Sequence, residues 1–135
     1  MGEWVLHLRN LDSRLRENDK GNATDFSRLN EVQLFFPDPW HKKRHHKRRI
    51  VNDAFIHLIA QKLKPEGLFH LATDWQPYAE SMMTILTPSP LFKNLAGTDQ
   101  FSPRGDRPLS KFENRGMKLG HQIFDLRFLK VIERD

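Results

Sequence analysis

The chain of 135 residues contains no cysteine. Disulfide bonds, thiolate nucleophiles and cysteine-based zinc sites are therefore excluded, and the composition fits a reducing cytoplasm. No apolar run approaches the roughly 18 residues of a membrane span, and the N-terminus lacks the charged-then-apolar pattern of a signal peptide. None of the seven glycines forms a G-x-G pattern, so neither a dinucleotide-binding fingerprint nor a P-loop is present.

Apolar residues are nevertheless plentiful. They make up 38% of the chain and include ten phenylalanines and three tryptophans. This is enough to build the core of one small domain, and it excludes a wholly disordered chain.

Positive charge is concentrated in residues 42–49, called the basic segment below. The net charge is +5 and the segment holds six cations, so the remainder of the chain carries −1. The six are Lys42, Lys43, Arg44, Lys47, Arg48 and Arg49. No acid lies between Asp38 and Asp53 to neutralise them. The segment favours contacts with nucleic-acid phosphates, with a solvated loop or a nuclear-localisation-like run as the alternatives. Its histidines lie among these cations, so we expect no metal site.

Hydrophobic periodicity predicts a single α/β domain. Helical spacing predicts a helix over residues 3–17, and an apolar run predicts a buried strand over 32–36. A helix should follow the basic segment and end at Pro65-Glu66-Gly67, before a strand over 68–73. Strand, helix and strand within about 40 residues indicate a βαβ unit with two parallel strands.

The C-terminal half continues this alternation. Pro77 can start a helix that runs to about residue 86, and a short strand is predicted over 91–95. Residues 110–113 have the form of a capping box, which predicts a helix to about residue 119. Alternating apolar residues predict a last strand over 121–131.

Two aspartates follow the two strands of the predicted βαβ unit. Asp38 and Asp74 are 36 residues apart, and each is soon followed by a tryptophan, Trp40 or Trp75. Ligands bind beyond the carboxyl ends of the strands in open α/β sheets, and a carboxylate beside an aromatic ring suits a purine. The alternatives are that Asp38 forms a turn, that Asp74 caps a helix, and that the tryptophans belong to the core.

Three blocks of sequence carry a family resemblance. The first is Phe-Phe-Pro-Asp-Pro-Trp-His-Lys-Lys-Arg-His-His-Lys-Arg-Arg at residues 35–49. The second is Ala-Thr-Asp-Trp at 72–75 with Tyr-Ala-Glu at 78–80, and the third spans 107–116 with 119–121 and 125–126. Together they resemble the bacterial tRNA (guanine(46)-N7)-methyltransferase family over roughly residues 31–130.

The resemblance implies a class I, Rossmann-like methyltransferase that uses S-adenosylmethionine to methylate N7 of guanine 46 in the tRNA variable loop. It implies that Asp38 is the catalytic aspartate, next to the cofactor, and that Lys42 and Asp74 bind substrate. The C-terminal substrate-binding motif is matched by Ser110, Lys111, Phe112 and Glu113, with Ser110 where the family most often has threonine. The remaining basic residues would then bind the tRNA backbone: Lys43, Arg44, Lys47, Arg48 and Arg49.

The chain departs from the family in one respect. Such enzymes build the cofactor site from a glycine-rich loop after the first strand and acidic residues after the next two, and this chain begins after those elements. Three interpretations follow: a methyltransferase, a catalytically inactive tRNA-binding remnant of such an enzyme, and a partial domain that folds only as a homo-oligomer because one edge of its sheet is exposed.

Overall fold

The computed structural model describes residues 5–9, 29–105 and 122–131. In chain order these contain β1 (Val5–Arg9), β2 (Leu29–Phe35), a 3₁₀ helix (Lys43–Arg48), α1 (Asp53–Lys62), β3 (Leu63–Thr73), α2 (Gln76–Leu86), β4 (Phe92–Asn94) and β5 (Phe124–Lys130). The strands form one five-stranded sheet in the order β1-β2-β3-β5-β4. The α/β fold class is therefore confirmed, and the sheet is consistent with part of a Rossmann-like methyltransferase.

The predicted βαβ unit is present. β2 and β3 pair in parallel, and the 3₁₀ helix and α1 lie in the connection between them. Asn52 caps the N-terminus of α1, because its side chain accepts a hydrogen bond of 2.9 Å from the Phe55 N–H. This unit determines where the two candidate aspartates lie, since each follows one of its parallel strands.

The junction between α1 and β3 differs from its prediction. The helix ends at Lys62, and Pro65-Glu66-Gly67 belongs to β3 instead of ending the helix. The register with β2 shifts between the pairs Leu29↔Leu63 and Glu31↔Leu68. Glu66 has φ 66° in this bulge, and a Cβ on Gly67 would lie 2.8 Å from the Lys64 carbonyl oxygen. Glycine is therefore required by the close approach of the backbone at residue 67.

The helix predicted over residues 3–17 is wrong for Val5–Arg9. These residues form β1, antiparallel to β2, with Val5 opposite Phe35 and Arg9 opposite Glu31. Two leucines, at positions 6 and 8, alternate with polar residues there, and pairing with β2 satisfies backbone groups on both strands. β1 thereby covers one side of β2. Residues 10–28 lie outside the described residues, as does the predicted helix over 110–119.

One face of the sheet is apolar and is covered by α1 and α2. The buried cluster draws its side chains from four strands and both helices, among them Val32, Leu34, Phe69, Leu71, Phe92, Leu126, Phe128, Ile56, Ile59, Tyr78, Met82 and Leu86. Full burial of such a side chain stabilises a fold by about 1.5–3 kcal/mol. The two helices thus fix the sheet from which both candidate loops emerge. No helix among the described residues is long and apolar enough to cross a membrane.

A buried polar pair lies at two sheet residues that alternate with the apolar core residues along β3 and β5. His70 on β3 donates a hydrogen bond of 2.7 Å from Nε2 to Asp125 Oδ2 on β5, and both side chains are at most 3% exposed. The Phe35 ring meets the His70 imidazole edge-on at a centroid distance of 4.9 Å. The pair joins strands that are distant in sequence, and it provides the acceptor that a buried imidazole N–H needs.

We expect His70→Leu to lower the free energy of unfolding by about 2 kcal/mol, because the Asp125 carboxylate would lose a buried donor. His70→Gln, which retains a donor, should cost less. Urea unfolding followed by circular dichroism measures both effects. His57→Leu is the matched control, since His57 is exposed on α1. Equal destabilisation by His70→Leu and His57→Leu would contradict the role given to the pair.

Candidate functional site

The carboxyl ends of β2 and β3 meet at one edge of the sheet. Phe35 is paired with Ala72, and the Phe36 N–H donates a hydrogen bond of 2.7 Å to the Ala72 carbonyl oxygen. Asp38 lies three residues beyond the last residue of β2, and Asp74 directly follows β3. The structure therefore brings the two predicted loops to the same edge.

Asp38 is half-buried in its loop. Its Oδ1 accepts a hydrogen bond of 2.9 Å from the Trp40 N–H, which closes a local turn. The turn-forming role is therefore confirmed, and it uses one of the two carboxylate oxygens. Among the described residues, Oδ2 makes no hydrogen bond, so this oxygen is available to a ligand.

The loop that carries Asp38 is strained at both ends. Phe36 has φ 56° and Trp40 has φ 44°, although neither is glycine. Pro37 and Pro39 fix two further φ angles between them. A bulky residue in the left-handed region costs about 1–3 kcal/mol and persists only where its surroundings hold it. This loop therefore depends on contacts from other segments for its shape.

Asp74 does not cap α2. The position before the helix is occupied by Trp75, which makes no side-chain capping bond, and Pro77 lies in the first turn. The Trp75 N–H instead donates a hydrogen bond of 3.2 Å to Thr73 Oγ1. The helix-capping alternative for Asp74 is thus wrong, and Asp74 is half-buried at the edge where β2 and β3 end.

The basic segment forms a 3₁₀ helix over Lys43–Arg48, whereas a solvated loop was one of the alternatives that its sequence left open. Its 3₁₀ helix has no acidic residue in its first turn. Five of the six cations are exposed to solvent: Lys42, Lys43, Arg44, Lys47 and Arg48. These five side chains can therefore reach phosphate groups without unfolding any element.

Aromatic contacts connect the basic segment to the loop of Asp38, and His41, the residue before the segment, to the loop of Asp74. The His41 ring meets the Trp75 ring edge-on at 4.2 Å, and the Trp40 and His45 rings lie 5.8 Å apart. The Arg48 guanidinium lies 5.1 Å from the centroid of the Trp40 ring. Trp75 is 36% exposed and Trp40 is half-buried. Neither tryptophan belongs to the core, so both rings border the edge that holds the two aspartates.

Arg49 is the exception among the six cations. We expected it to contact a tRNA phosphate, but its side chain is buried. Its side chain is only 7% exposed, and its Nε–H donates a hydrogen bond of 2.6 Å to the Pro39 carbonyl oxygen. The guanidinium carbon lies 4.7 Å from the centroid of the Tyr78 ring. Burial lowers the pKa of Arg49 from its ordinary value, partly offset by its interaction with Tyr78. No local sequence pattern indicates this burial, because Arg49 continues a run of exposed cations.

Tyr78 is fully buried on α2 beneath these loops. Its hydroxyl oxygen accepts a hydrogen bond of 3.2 Å from the Val51 N–H. Burial raises the pKa of Tyr78 above 10.0, and the charge of Asp38 adds to this, while the Val51 hydrogen bond and the charge of Arg49 lower it. Asp38, Arg49 and Tyr78 therefore form one electrostatic group.

The raised pKa of Tyr78 predicts a specific alkaline titration. Tyr78 is the one tyrosine of the chain, so absorbance at tyrosinate wavelengths reports on it alone. We expect a midpoint above the ordinary 10.0. Because the folded pKa is the higher one, stability is unaffected below pH 10 and falls as the pH rises towards the folded pKa. Tyr78→Phe is the control, which should abolish the absorbance change. A midpoint at or below 10 in the folded chain would contradict the burial.

The C-terminal motif cannot be placed against this edge. Ser110, Lys111, Phe112 and Glu113 lie outside the described residues. A cavity of about 280 Å³ lies elsewhere, beside β4, and its lining includes Phe92, Asn94 and Phe128 but no residue singled out from the sequence.

Comparison with known proteins gives consistent matches. The model of the family described as "Putative methyltransferase" matches residues 18–126. The chain is 56% identical over 111 residues to a protein of Shewanella amazonensis named tRNA (guanine-N(7)-)-methyltransferase, covering 82% of this chain and 47% of that protein. Proteins of the same name from Pseudomonas putida strain W619 and Colwellia psychrerythraea are 55% and 57% identical, over 76% of this chain and 43% and 42% of their own lengths. The chain spans less than half the length of these relatives.

Proposed function

Since the chain belongs to this methyltransferase family, whose model matches most of its length, we propose that it acts in methylation of tRNA at guanine N7, at position 46 of the variable loop. Asp38 is the catalytic residue, and the five exposed cations of the basic segment bind the tRNA backbone. The relatives of known name are similar over more than three quarters of this chain, which supports the assignment of substrate.

One observation carries the proposal. A half-buried carboxylate, Asp38, lies at the edge where the parallel strands end, and exposed cations and two tryptophans border the same edge. The cations supply affinity for phosphates, whereas a carboxylate and an aromatic ring are suited to a base. In this proposal Lys42 and Asp74 contact the substrate, and Ser110, Lys111, Phe112 and Glu113 belong to the same binding surface.

Methylation of guanine N7 requires few protein groups beyond a carboxylate beside the base and cations on the tRNA backbone. Guanine N7 is an acceptor and carries no proton, so no general base is needed to expose its lone pair. Bond formation at N7 leaves positive charge on the purine. A carboxylate fixed beside the ring offsets that charge and aligns N7 for attack. Asp38 Oδ2 is suited to this role because the turn leaves it without a hydrogen bond among the described residues.

S-adenosylmethionine is the methyl donor that we propose, since it supplies a methyl group on a positively charged sulfur. Gly67, Gly97 and Gly105, the glycines of the described ranges, lie outside the two loops at this edge. Asp38 is the one described residue that we assign to the neighbourhood of the donor. In this proposal Lys42 and Asp74 act on the tRNA side of the reaction.

Methyl transfer from labelled S-adenosylmethionine to unmodified tRNA tests the proposal directly. The tRNA is digested afterwards and examined for 7-methylguanine. We expect this product at the guanine of the variable loop and at no other guanine. A methylated product at another atom would contradict the assignment of N7, and absence of any methylated product would contradict activity of this chain.

A second candidate function is tRNA binding without catalysis, in the manner of a remnant of the enzyme. It is favoured by the five exposed cations of the basic segment. It predicts salt-sensitive tRNA binding without methyl transfer.

A homo-oligomer is a further proposal, tested by measuring mass in solution as the chain concentration varies. In either case the cysteine-free composition supports a reducing cytoplasm as the location.

A further inference from the structure

Hydrogen bonds hold the loop from Phe36 to Trp40 at both ends and at its centre. Phe36 is tied to β3, and the Trp40 N–H bonds to Asp38 within the loop itself. Within the described ranges, the hydrogen bond from Arg49 Nε to the Pro39 carbonyl oxygen is the one that ties the centre of the loop to a segment outside it. At 2.6 Å it is a short bond with a charged donor, which is a strong type.

Arg49 is itself firmly anchored. Its guanidinium lies against the ring of Tyr78, which is fully buried on α2. The Tyr78 hydroxyl in turn accepts a hydrogen bond from Val51, two residues after Arg49. The centre of the loop is thereby connected through Arg49 to a helix that packs on the sheet.

This arrangement is not what fold stability alone favours. Within the described residues, Arg49 forms no salt bridge, and its buried Nη2 has no hydrogen-bond partner. A buried cation without a paired anion carries a desolvation cost that an apolar side chain of similar size avoids. Arg49 therefore contributes mainly to the local geometry, through its hydrogen bond to the Pro39 carbonyl oxygen and its contact with the Tyr78 ring.

We propose that Arg49 is a positioning residue, which fixes the Asp38 carboxylate by holding the Pro39 carbonyl against α2. The inference rests on the proposed catalytic function of Asp38, but its structural part is independent of that function. Arg49 directly follows the last residue of the 3₁₀ helix, so the residue that holds the catalytic loop is continuous with the surface that binds tRNA.

Hydrogen exchange of the Trp40 backbone amide tests the inference, because this N–H donates to Asp38 Oδ1 and reports on the loop. In Arg49→Met we expect exchange to accelerate about tenfold, as for the loss of one stabilising hydrogen bond. The Leu71 amide in β3 should be unchanged, and so should the urea midpoint. Arg44→Met is the matched control, since Arg44 is exposed and its loss changes the net charge equally. It should leave Trp40 exchange unaltered.

A second variant covers the case in which Arg49→Met does not fold. Arg49→Lys keeps the charge but removes the Nε–H and the planar group over Tyr78, so exchange at Trp40 should also accelerate. Unchanged Trp40 exchange in the folded variants would overturn the inference. Acceleration at Trp40 and Leu71 together would do so as well, because it would show a general loss of structure.

Methyl transfer separates this inference from the function on which it rests. With an active parent chain, Arg49→Met should lower kcat by about tenfold or more while KM for tRNA changes by less than about threefold, because alignment of the carboxylate is lost and phosphate contacts are kept. A raised KM with unchanged kcat would overturn the positioning role. An inactive parent chain would overturn the proposed methylation alone, and the exchange experiment would still decide whether Arg49 holds the loop.

Discussion

Raising the salt concentration from about 50 mM to about 200 mM is expected to weaken tRNA binding by about 100- to 500-fold. The five exposed cations of the basic segment are the basis of this value. Each cation that neutralises a phosphate releases counterions and contributes about −0.7 to −0.9 to the slope of log affinity against log salt. Five such contacts give a slope of about −3.5 to −4.5, which over a fourfold change in salt produces the stated loss.

Single substitutions make this prediction specific to residues. Arg44→Gln should reduce the magnitude of the slope by about one, since it removes one phosphate contact. Arg49→Gln should leave the slope unchanged, because Arg49 is 7% exposed and faces Tyr78. Lys93→Gln is the control for a cation outside the segment, exposed on β4. Filter binding or fluorescence anisotropy across a salt series measures all four chains. Equal slopes for Arg44→Gln and the parent would contradict the assignment of the basic segment to the tRNA backbone.

Asp38→Asn is expected to reduce methyl transfer to guanine N7 by about 100- to 1,000-fold, the size of effect found when one preorganised electrostatic group is removed from a transition state. The amide oxygen of asparagine can still accept the hydrogen bond from the Trp40 N–H. The substitution therefore removes the charge while keeping the turn. Affinity for tRNA should change by less than about threefold, because base-edge charge contributes little beside the phosphate contacts.

Labelled methyl transfer at saturating tRNA measures the loss, and binding is measured on the same preparations. Asp53→Asn is the matched control, since it makes the same chemical change at an exposed position in the first turn of α1. Equal losses of binding and turnover in Asp38→Asn would show that Asp38 holds tRNA and does not act on the reacting base. Unchanged turnover would exclude Asp38 as the catalytic residue.

The βαβ unit and its two aspartates could be predicted from local sequence. The apolar runs at 32–36 and 68–73 define two buried strands, and parallel strands place Asp38 and Asp74 at one edge. Prolines 37 and 39 likewise indicate a stiff loop, because each fixes its own φ angle and restricts the residue before it. These features depend on residues close together in the chain, so periodicity and turn residues are sufficient to find them.

The features that were missed depend on partners distant in sequence. Val5–Arg9 carries both helical and alternating spacing, and the availability of β2 as a partner decides between them. Arg49 has the same charge as its exposed neighbours, and its burial follows from the position of Tyr78, 29 residues further on. No local pattern indicates that His70 will meet Asp125 across 55 residues. The site edge was thus predictable, whereas the contacts that hold it were not.

The strand order of the sheet also has a consequence for the kinetics of folding. Phe35 and Ala72 are 37 residues apart where β2 meets β3, whereas Ala72 and Asp125 are 53 apart where β3 meets β5. The cost of closing a chain segment rises with its length, and contacts distant in sequence form slowly. We therefore expect the segment from β2 to α2 to gain structure before β5 joins it. Both loops that carry the aspartates belong to that early segment, so the edge that would receive a tRNA base takes shape before the sheet is complete.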